Sequence, residues 1–215
     1  MKKALILHGG WEGHEPEACA KLFAAELSRR DFTVELSDTL DCLNSAARLA
    51  KFDLIVPLWT MGTLAKAQEK NLVTAVREGT GLAGFHGGMG DAFRGAIEYQ
   101  WMVGGQFVAH PDDIKEYIVR IVKRDDQILR GLGDFKVKAE QYYLLVDPLN
   151  QILATTTFQS ASAPWVNGVV MPVVWKKMHG AGRVFYSSLG HVAKDFTEVP
   201  EQLELTLRGM TWAAR

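Results

Sequence analysis

The sequence is poor in the features that mark several common protein classes. It holds two cysteines in 215 residues, Cys19 and Cys42, which form neither a C-x-x-C pair nor a disulfide framework. Cys19 falls within a helical pattern and Cys42 follows a strand pattern, so both read as small buried apolar side chains. An excess of one charge is missing too: 24 basic against 25 acidic residues leave a formal charge of −1, with no basic run. That argues against the phosphate-driven affinity of a nucleic-acid-binding protein. No apolar run approaches the roughly 20 residues of a membrane span. The opening MKKALILHGG puts two lysines before an apolar stretch, as a secretory signal does, but runs into Gly, Trp and a charged amphipathic segment with no cleavage-like region. It reads as a first strand, and the chain as cytoplasmic. No G-x-G-x-x-G order and no P-loop is present, so no nucleotide cofactor is indicated. No Pro/Ser linker, internal repeat or low-complexity tract interrupts the chain, and residues 1–215 are expected to form one domain.

What is present is a regular alternation. Lys3 to His8 is a continuous apolar run closed by two glycines, the pattern of a strand buried on both faces. Glu15 to Arg30 is amphipathic with helical spacing. Phe32 to Ser37 alternates as a strand, Ala46 to Lys51 is a short helix, and Asp53 to Trp59 is a third strand. Leu64 to Glu78 is a second long helix, stopped by Gly79 to Gly81. Leu82 to Phe85 is a fourth strand, and Asp91 to Met102 a further helix. This order predicts an α/β doubly wound, mostly parallel sheet of flavodoxin-like type. The second half reads as a sheet extension with antiparallel parts. Its strand patterns are Ile114 to Val122, Phe135 to Lys138, Tyr142 to Val146, Gln151 to Thr157, Val173 to Lys177 and Val184 to Ser188, before a closing helix from Glu201 to Ala214. Edge strands there offer a surface for a homo-oligomer.

Doubly wound sheets build their sites beyond the carboxyl ends of the strands. At the fourth strand stands GFHGG, Gly84 to Gly88, with the glycine spacing of a nucleophile elbow. The central residue is a histidine, His86, where hydrolases carry Ser or Cys. A second histidine, His191, ends GRVFYSSLGH, a late strand followed by a small turn. If that strand pairs beside the elbow strand, His86 and His191 face one pocket. Two imidazoles can act there as a general acid and general base, because imidazole titrates near neutrality. They can equally form half of a divalent-metal site for Zn, Mn, Fe or Ni, with His8 as a further candidate ligand.

All six histidines have Gly or Pro beside them in the chain. His8 and Trp59 sit at predicted strand ends and are candidates for the site; a strand-end histidine can also simply cap a backbone group. His110, in FVAHPD, is a third loop candidate. His14 and His179 read as structural, His179 at a hairpin tip in KKMHGAGR. Of the tryptophans, a subset near the site can offer sugar-stacking faces. Glu140, in KAEQYYLL, precedes a strand; an acid there is usually solvated, but it can also orient a histidine or bind hydroxyl groups. The paired glycines of VGGQF, Val103 to Phe107, form either a pocket rim or a plain tight turn.

Taken in order, LAGFHGG, YQWMVGGQFVAHP, EQYY and PVVWKKMHGAGRVFYSSLGH resemble the ThuA-like, trehalose-utilisation family, from about Lys3 to the terminal helix. The resemblance implies a class I glutamine-amidotransferase-like fold. It carries the family pattern onto His86, onto Val103–Phe107 with His110-Pro111, onto Glu140 with Tyr142, onto Trp175, and onto Gly190-His191. It implies a setting in sugar catabolism, with chemistry on a sugar or an oxidised keto-disaccharide. On that reading His86, His191 and Glu140 are catalytic, and His8, Trp59, His110, Tyr142 and Trp175 contact substrate. Two departures stand out. The elbow lacks the cysteine of the amidotransferases, which argues against glutamine hydrolysis through a thioester. The family's DE-x-Y form is AEQYY here, with Ala139 before Glu140, so a role needing two adjacent acids is lost. The alternative to an enzyme is a non-catalytic sugar-binding or protein-interaction module on the same fold.

Overall fold

The computed structural model describes residues 1–215. Strand β1 (Lys2–Gly10) sends Ala4 and Ile6 to one face of the sheet and Leu5 and Leu7 to the other, all fully buried. The first pair packs with Phe23 and Leu27 of α1 (Pro16–Ser28) and with Leu207 and Met210 of α7 (Pro200–Ala213). The second pair packs with Leu72 and Val76 of α3 (Lys66–Arg77) and with Met102 of α5 (Ile97–Val103). Helices on both faces explain why the strand reads as an unbroken apolar run.

Nine strands form the sheet in the order β2-β1-β3-β4-β11-β10-β9-β6-β7. The half made of β2 (Phe32–Ser37), β1, β3 (Leu54–Thr60), β4 (Gly81–Phe85) and β11 (Gly182–Ser187) is parallel. The rest, β10 (Val170–His179), β9 (Gln151–Thr157), β6 (Ile114–Ile121) and β7 (Phe135–Glu140), is antiparallel. The chain reverses its direction of winding at β1, so the crevice between β1 and β3 is the topological switch point. Strand β11 lies beside β4 with Ser187 opposite Phe85, so Ser188 and His86 leave the sheet side by side.

Two expectations are corrected. The helix expected over Asp91–Met102 begins only at Ile97. The Met61 amide donates to Asp91 O and the Phe93 amide to Met61 O, both at 2.9 Å, so this segment pairs with the end of β3 instead of coiling. The VGGQF block is neither a plain turn nor a rim alone: after Gly104 it forms strand β5 (Gly105–Ala109), which pairs with β8 (Tyr143–Val146) as a separate antiparallel ribbon. Glu140 stands before β8, as expected, and also ends β7. Two short helices complete the elements before and after the elbow and β11: α4 (His86–Gly90) and α6 (Ala193–Glu198). A last short one, α2 (Ala46–Leu49), lies where a short helix is expected. No helix is long and apolar enough to cross a membrane.

Candidate active site

The turn from β4 into α4 holds His86 in the left-handed region, at φ 46°. A Cβ at Gly84 would lie 2.9 Å from Pro57 O, and one at Gly88 would lie 2.8 Å from Leu58 Cα. Both glycines are therefore required by the approach of the elbow to β3. The side chain of His86 is 1% exposed and wedged between fixed partners. Its Nδ1 is 2.9 Å from Ser188 O, Tyr142 stacks on the ring at 4.0 Å, and the Tyr186 hydroxyl donates to its carbonyl. A carbonyl only accepts, so Nδ1 carries the hydrogen, and Nε2 points at Glu140 Oε2, 3.1 Å away.

Glu140 arrives from the other end of the sheet. Five strand steps separate β7 from β4, about 24 Å across a flat sheet. The antiparallel half must therefore curl over to bring the carboxylate against His86. His191, four residues beyond β11, places Nδ1 3.2 Å from Glu140 Oε2 and 3.4 Å from His86 Nε2. Its backbone N–H donates to Asp195 Oδ2, which fixes the turn. His14 comes from a 3-10 turn (Glu12–His14) after β1, at the switch point. Its Nδ1 bonds the Thr60 hydroxyl at 2.7 Å, and its Nε2 lies 3.8 Å from Glu140 Oε2. That Nε2 is buried with no hydrogen-bond partner. His110 faces the other carboxylate oxygen, with Nε2 3.6 Å from Glu140 Oε1. One carboxylate thus sits among four imidazoles.

The electrostatics follow from burial and these contacts. Burial lowers His86 to about 4 from an ordinary 6.5, against the opposing pull of Glu140. Burial alone would raise Glu140, but the imidazoles of His14, His191 and His86 close around it outweigh that and hold the carboxyl well below the usual range. The bond to Glu140 raises His191, against its own burial. Glu140 is therefore a permanent negative focus at neutral pH.

A cavity of about 140 Å³ opens over this focus. His14, Thr60, His110 and Glu140 form its polar floor, and Trp11, Phe107 and Tyr142 are aromatic walls. Opposite, Arg94 forks onto Asp91 at 2.6 and 2.7 Å. The volume is below the roughly 300 Å³ at which drug-sized ligand pockets begin, so it suits one small polar ring. A larger hollow, about 630 Å³, lies at the opposite edge of the sheet around Lys2, Arg30, Arg183 and Arg208. Those side chains are spent on Glu204 and on main-chain carbonyls, and no cluster residue reaches it.

The model of the ThuA family, described as trehalose utilisation, matches residues 3–213. The chain belongs to the ThuA family. Its fold is similar to a ThuA-like protein from Bacteroides uniformis, with 20% identity over 99% of this chain and 91% of that one and a TM-score of 0.81. A ThuA-like protein from Parabacteroides merdae gives 18% identity, 99% and 89% coverage and a TM-score of 0.78. A cytoplasmic protein from Salmonella typhimurium gives 12% identity, 99% and 100% coverage and a TM-score of 0.70. No curated protein matches the sequence.

Within this ThuA protein, His86, His191 and Glu140 do converge, with His110 and Tyr142 at the cavity. Three expected residues stand elsewhere. His8 is not at the strand end, because β1 runs on to Gly10; it follows Ala4 and Ile6 onto the α1 face, toward Glu17. It is not among the clustered ligand atoms. Trp59 packs against Gly9 and Gly62 and braces the loops beside the cavity without lining it. Trp175 is fully buried, stacked near Tyr186 at 4.5 Å and bonded through Nε1 to Val103 O. His14, set aside as structural, belongs to the cluster. The signal for it was positional: it follows the first strand, and the switch point of a doubly wound sheet lies there. Phe107 was indicated only as the end of the VGGQF block and Trp11 only as one of several tryptophans, while Thr60, Asp91 and Arg94 had no motif. Cys19 lies behind His14, its thiol bonded to His14 O and pushed up to about 12 by burial, so it cannot replace the missing elbow nucleophile.

Proposed function

We propose that this protein is an enzyme of carbohydrate catabolism that acts on a sugar or keto-disaccharide at a carbon next to a carbonyl. The family's link to trehalose utilisation supports the substrate class. The observation that carries the enzymatic reading is the Glu140 focus: imidazoles from four separate chain segments, two of them buried, converge on one carboxylate beneath a polar cavity with aromatic walls. The carboxylate draws positive charge onto the groups around it, and such charge stabilises an enolate oxygen as it develops. The substrate's ring sits against Trp11, Phe107 and Tyr142, with hydroxyl groups toward Asp91 and Arg94. His191, held by Glu140, polarises the carbonyl oxygen, and His86, tied to Ser188 O and Glu140, anchors the cluster. His110, at 33% side-chain exposure the most open imidazole of the set, exchanges the proton at the neighbouring carbon.

The burial of His86 favours a second reading, a non-catalytic sugar-binding module on this fold. A screen of oxidised and unoxidised disaccharides, followed by NMR with wild type and His86→Ala, separates the two. Turnover of a keto-sugar by wild type, abolished in a folded His86→Ala protein, is the expected result. Binding without turnover leaves the module reading. The Salmonella protein's description as cytoplasmic supports an intracellular setting for the reaction.

A further inference from the structure

Four ligand atoms, His14 Nε2, His86 Nε2, His191 Nδ1 and Glu140 Oε2, lie within 4.8 Å of one another. Three of the separations are 3.1, 3.2 and 3.4 Å. Bonds of 2.0–2.2 Å to a tetrahedral ion place ligands about 3.3–3.5 Å apart, so these edges fit one ion. The lone pairs also point the right way. With Nδ1 of His86 committed to Ser188 O, Nε2 is the ring nitrogen turned toward the carboxylate oxygen. That pair, 3.1 Å apart, is held together by a cation shared between the nitrogen and the oxygen, a proton or a metal ion. His14 gives a second, independent sign. Its Nδ1 is engaged by Thr60, its side chain is 9% exposed, and its Nε2 is an orphan aimed into the same focus. A hollow of about 10 Å³ lined by His14, His86 and His191 adjoins the cluster, close to the volume needed by one water.

We propose that His14, His86, His191 and Glu140 bind one divalent first-row metal ion. Three imidazoles and one carboxylate suit Zn, Fe, Mn or Ni, and the site takes a further ligand from the side of the cavity only by expanding to five-coordinate. The inference rests on the proposed function only for what that further ligand is, a sugar carbonyl oxygen; the ion site itself stands on the four side chains. The ion supplies Lewis acidity to that oxygen. Thr60 and the Ser188 carbonyl hold the outward nitrogens of His14 and His86, the kind of support that orients ligating histidines.

The test uses untagged full-length protein, stripped with chelator and titrated with Zn²⁺ by calorimetry and with Co²⁺ by visible absorption. The expected result is one equivalent per chain with Co²⁺ bands of a low-coordinate site. His14→Ala and His191→Ala should each weaken binding about 100-fold or more, and His8→Ala should leave it unchanged. Circular dichroism confirms that each variant is folded; Glu140→Gln serves if an alanine variant is not. Folded wild type that binds no stoichiometric ion overturns the proposal, as does affinity unaltered by both ligand changes. A keto-sugar turned over by metal-free protein would sink the ion and keep the enzyme. An ion bound tightly with no sugar turned over would do the reverse.

Discussion

Truncating Trp175 to alanine removes a fully buried indole from β10, where it fills the space between Tyr186 and the backbone at Gly105. Loss of a buried Trp costs about 3–5 kcal/mol through lost transfer energy and the cavity left behind. The Val103 carbonyl loses its bond from Nε1, a further ~1 kcal/mol or more. For a chain of this size each kcal/mol lowers Tm by about 2–4 °C. Trp175→Ala is therefore expected to melt roughly 10–20 °C below wild type. Trp175→Phe keeps most of the packing and loses the carbonyl's partner, so its drop is about 3–10 °C. Thermal melts followed by circular dichroism, with urea titrations for the free energies, give both values. Trp175→Phe, measured well below its Tm, should turn over sugar as wild type does per folded molecule. Alanine is the wrong variant for that comparison, because Tyr186, which supports the His86 carbonyl, loses its neighbour. A Trp175→Phe protein with unchanged Tm and a raised KM would refute the placement of Trp175 in the core and restore it as a sugar contact.

Lys177 is buried with its Nζ on Asp147 Oδ2 at 2.7 Å and on Trp101 O, so Lys177→Met should cost about 3–5 kcal/mol and Lys177→Met with Asp147→Leu much less, measured as a double-mutant cycle in urea. Burial works against ionisation of Asp147, but Lys177 more than offsets it and holds the folded carboxyl below its ordinary 3.8. Its contribution is thus present above pH 3.8 and is lost as pH falls through the lower folded value; acid titration of wild type should show this loss and Lys177→Met should not. A Cβ at Gly87 would lie 2.4 Å from His14 Cε1, so Gly87→Ala should cost about 1–3 kcal/mol and weaken Co²⁺ binding while the secondary structure is kept. Burial raises both thiols, so Cys19 and Cys42 should resist a thiol reagent in native protein and react after denaturation; a fast native reaction would contradict their burial.

Most of the parallel half was legible because its strands are self-contained signals. Phe32–Ser37 stands where its alternation puts it, as Gln151–Thr157 does in the antiparallel half by its strand pattern, and the runs of β1, β3 and β4 are apolar because helices cover both faces. The elbow was legible for the same local reason, the spacing of Gly84 and Gly88. The missed features depend on partners distant in sequence. Strand β5 pairs with β8 some forty residues away, and its glycines masked it. The segment from Asp91 to Ala96 has a helix-compatible composition, but β3 captures its hydrogen bonds. His14 carries no motif at all: its place is set by Thr60 at the end of β3 and by Gly87, which leaves room for the ring. Glu140 was legible through family resemblance and not through local pattern, because only the curl of the antiparallel half buries it.

A histidine at an elbow acquires a physical meaning from this arrangement. An elbow presents a side chain at the sheet end so that a base can activate it and a substrate can be attacked. His86 has neither nitrogen free for attack: Nδ1 is tied to Ser188 O and Nε2 faces Glu140. The same sharp turn instead fixes the imidazole so rigidly that its lone pair can serve only one centre. Glu140, carried in from the antiparallel half, occupies the place where a base would stand, and it can only concentrate positive charge, not accept a nucleophile's proton at neutral pH. The geometry that makes a nucleophile in other sheets makes a clamp in this one. Restoring the nucleophile by His86→Cys should consequently yield no glutaminase activity, because the carboxylate beside it would oppose the thiolate; glutamine hydrolysis by that variant would show that the Glu140 focus does not govern the site.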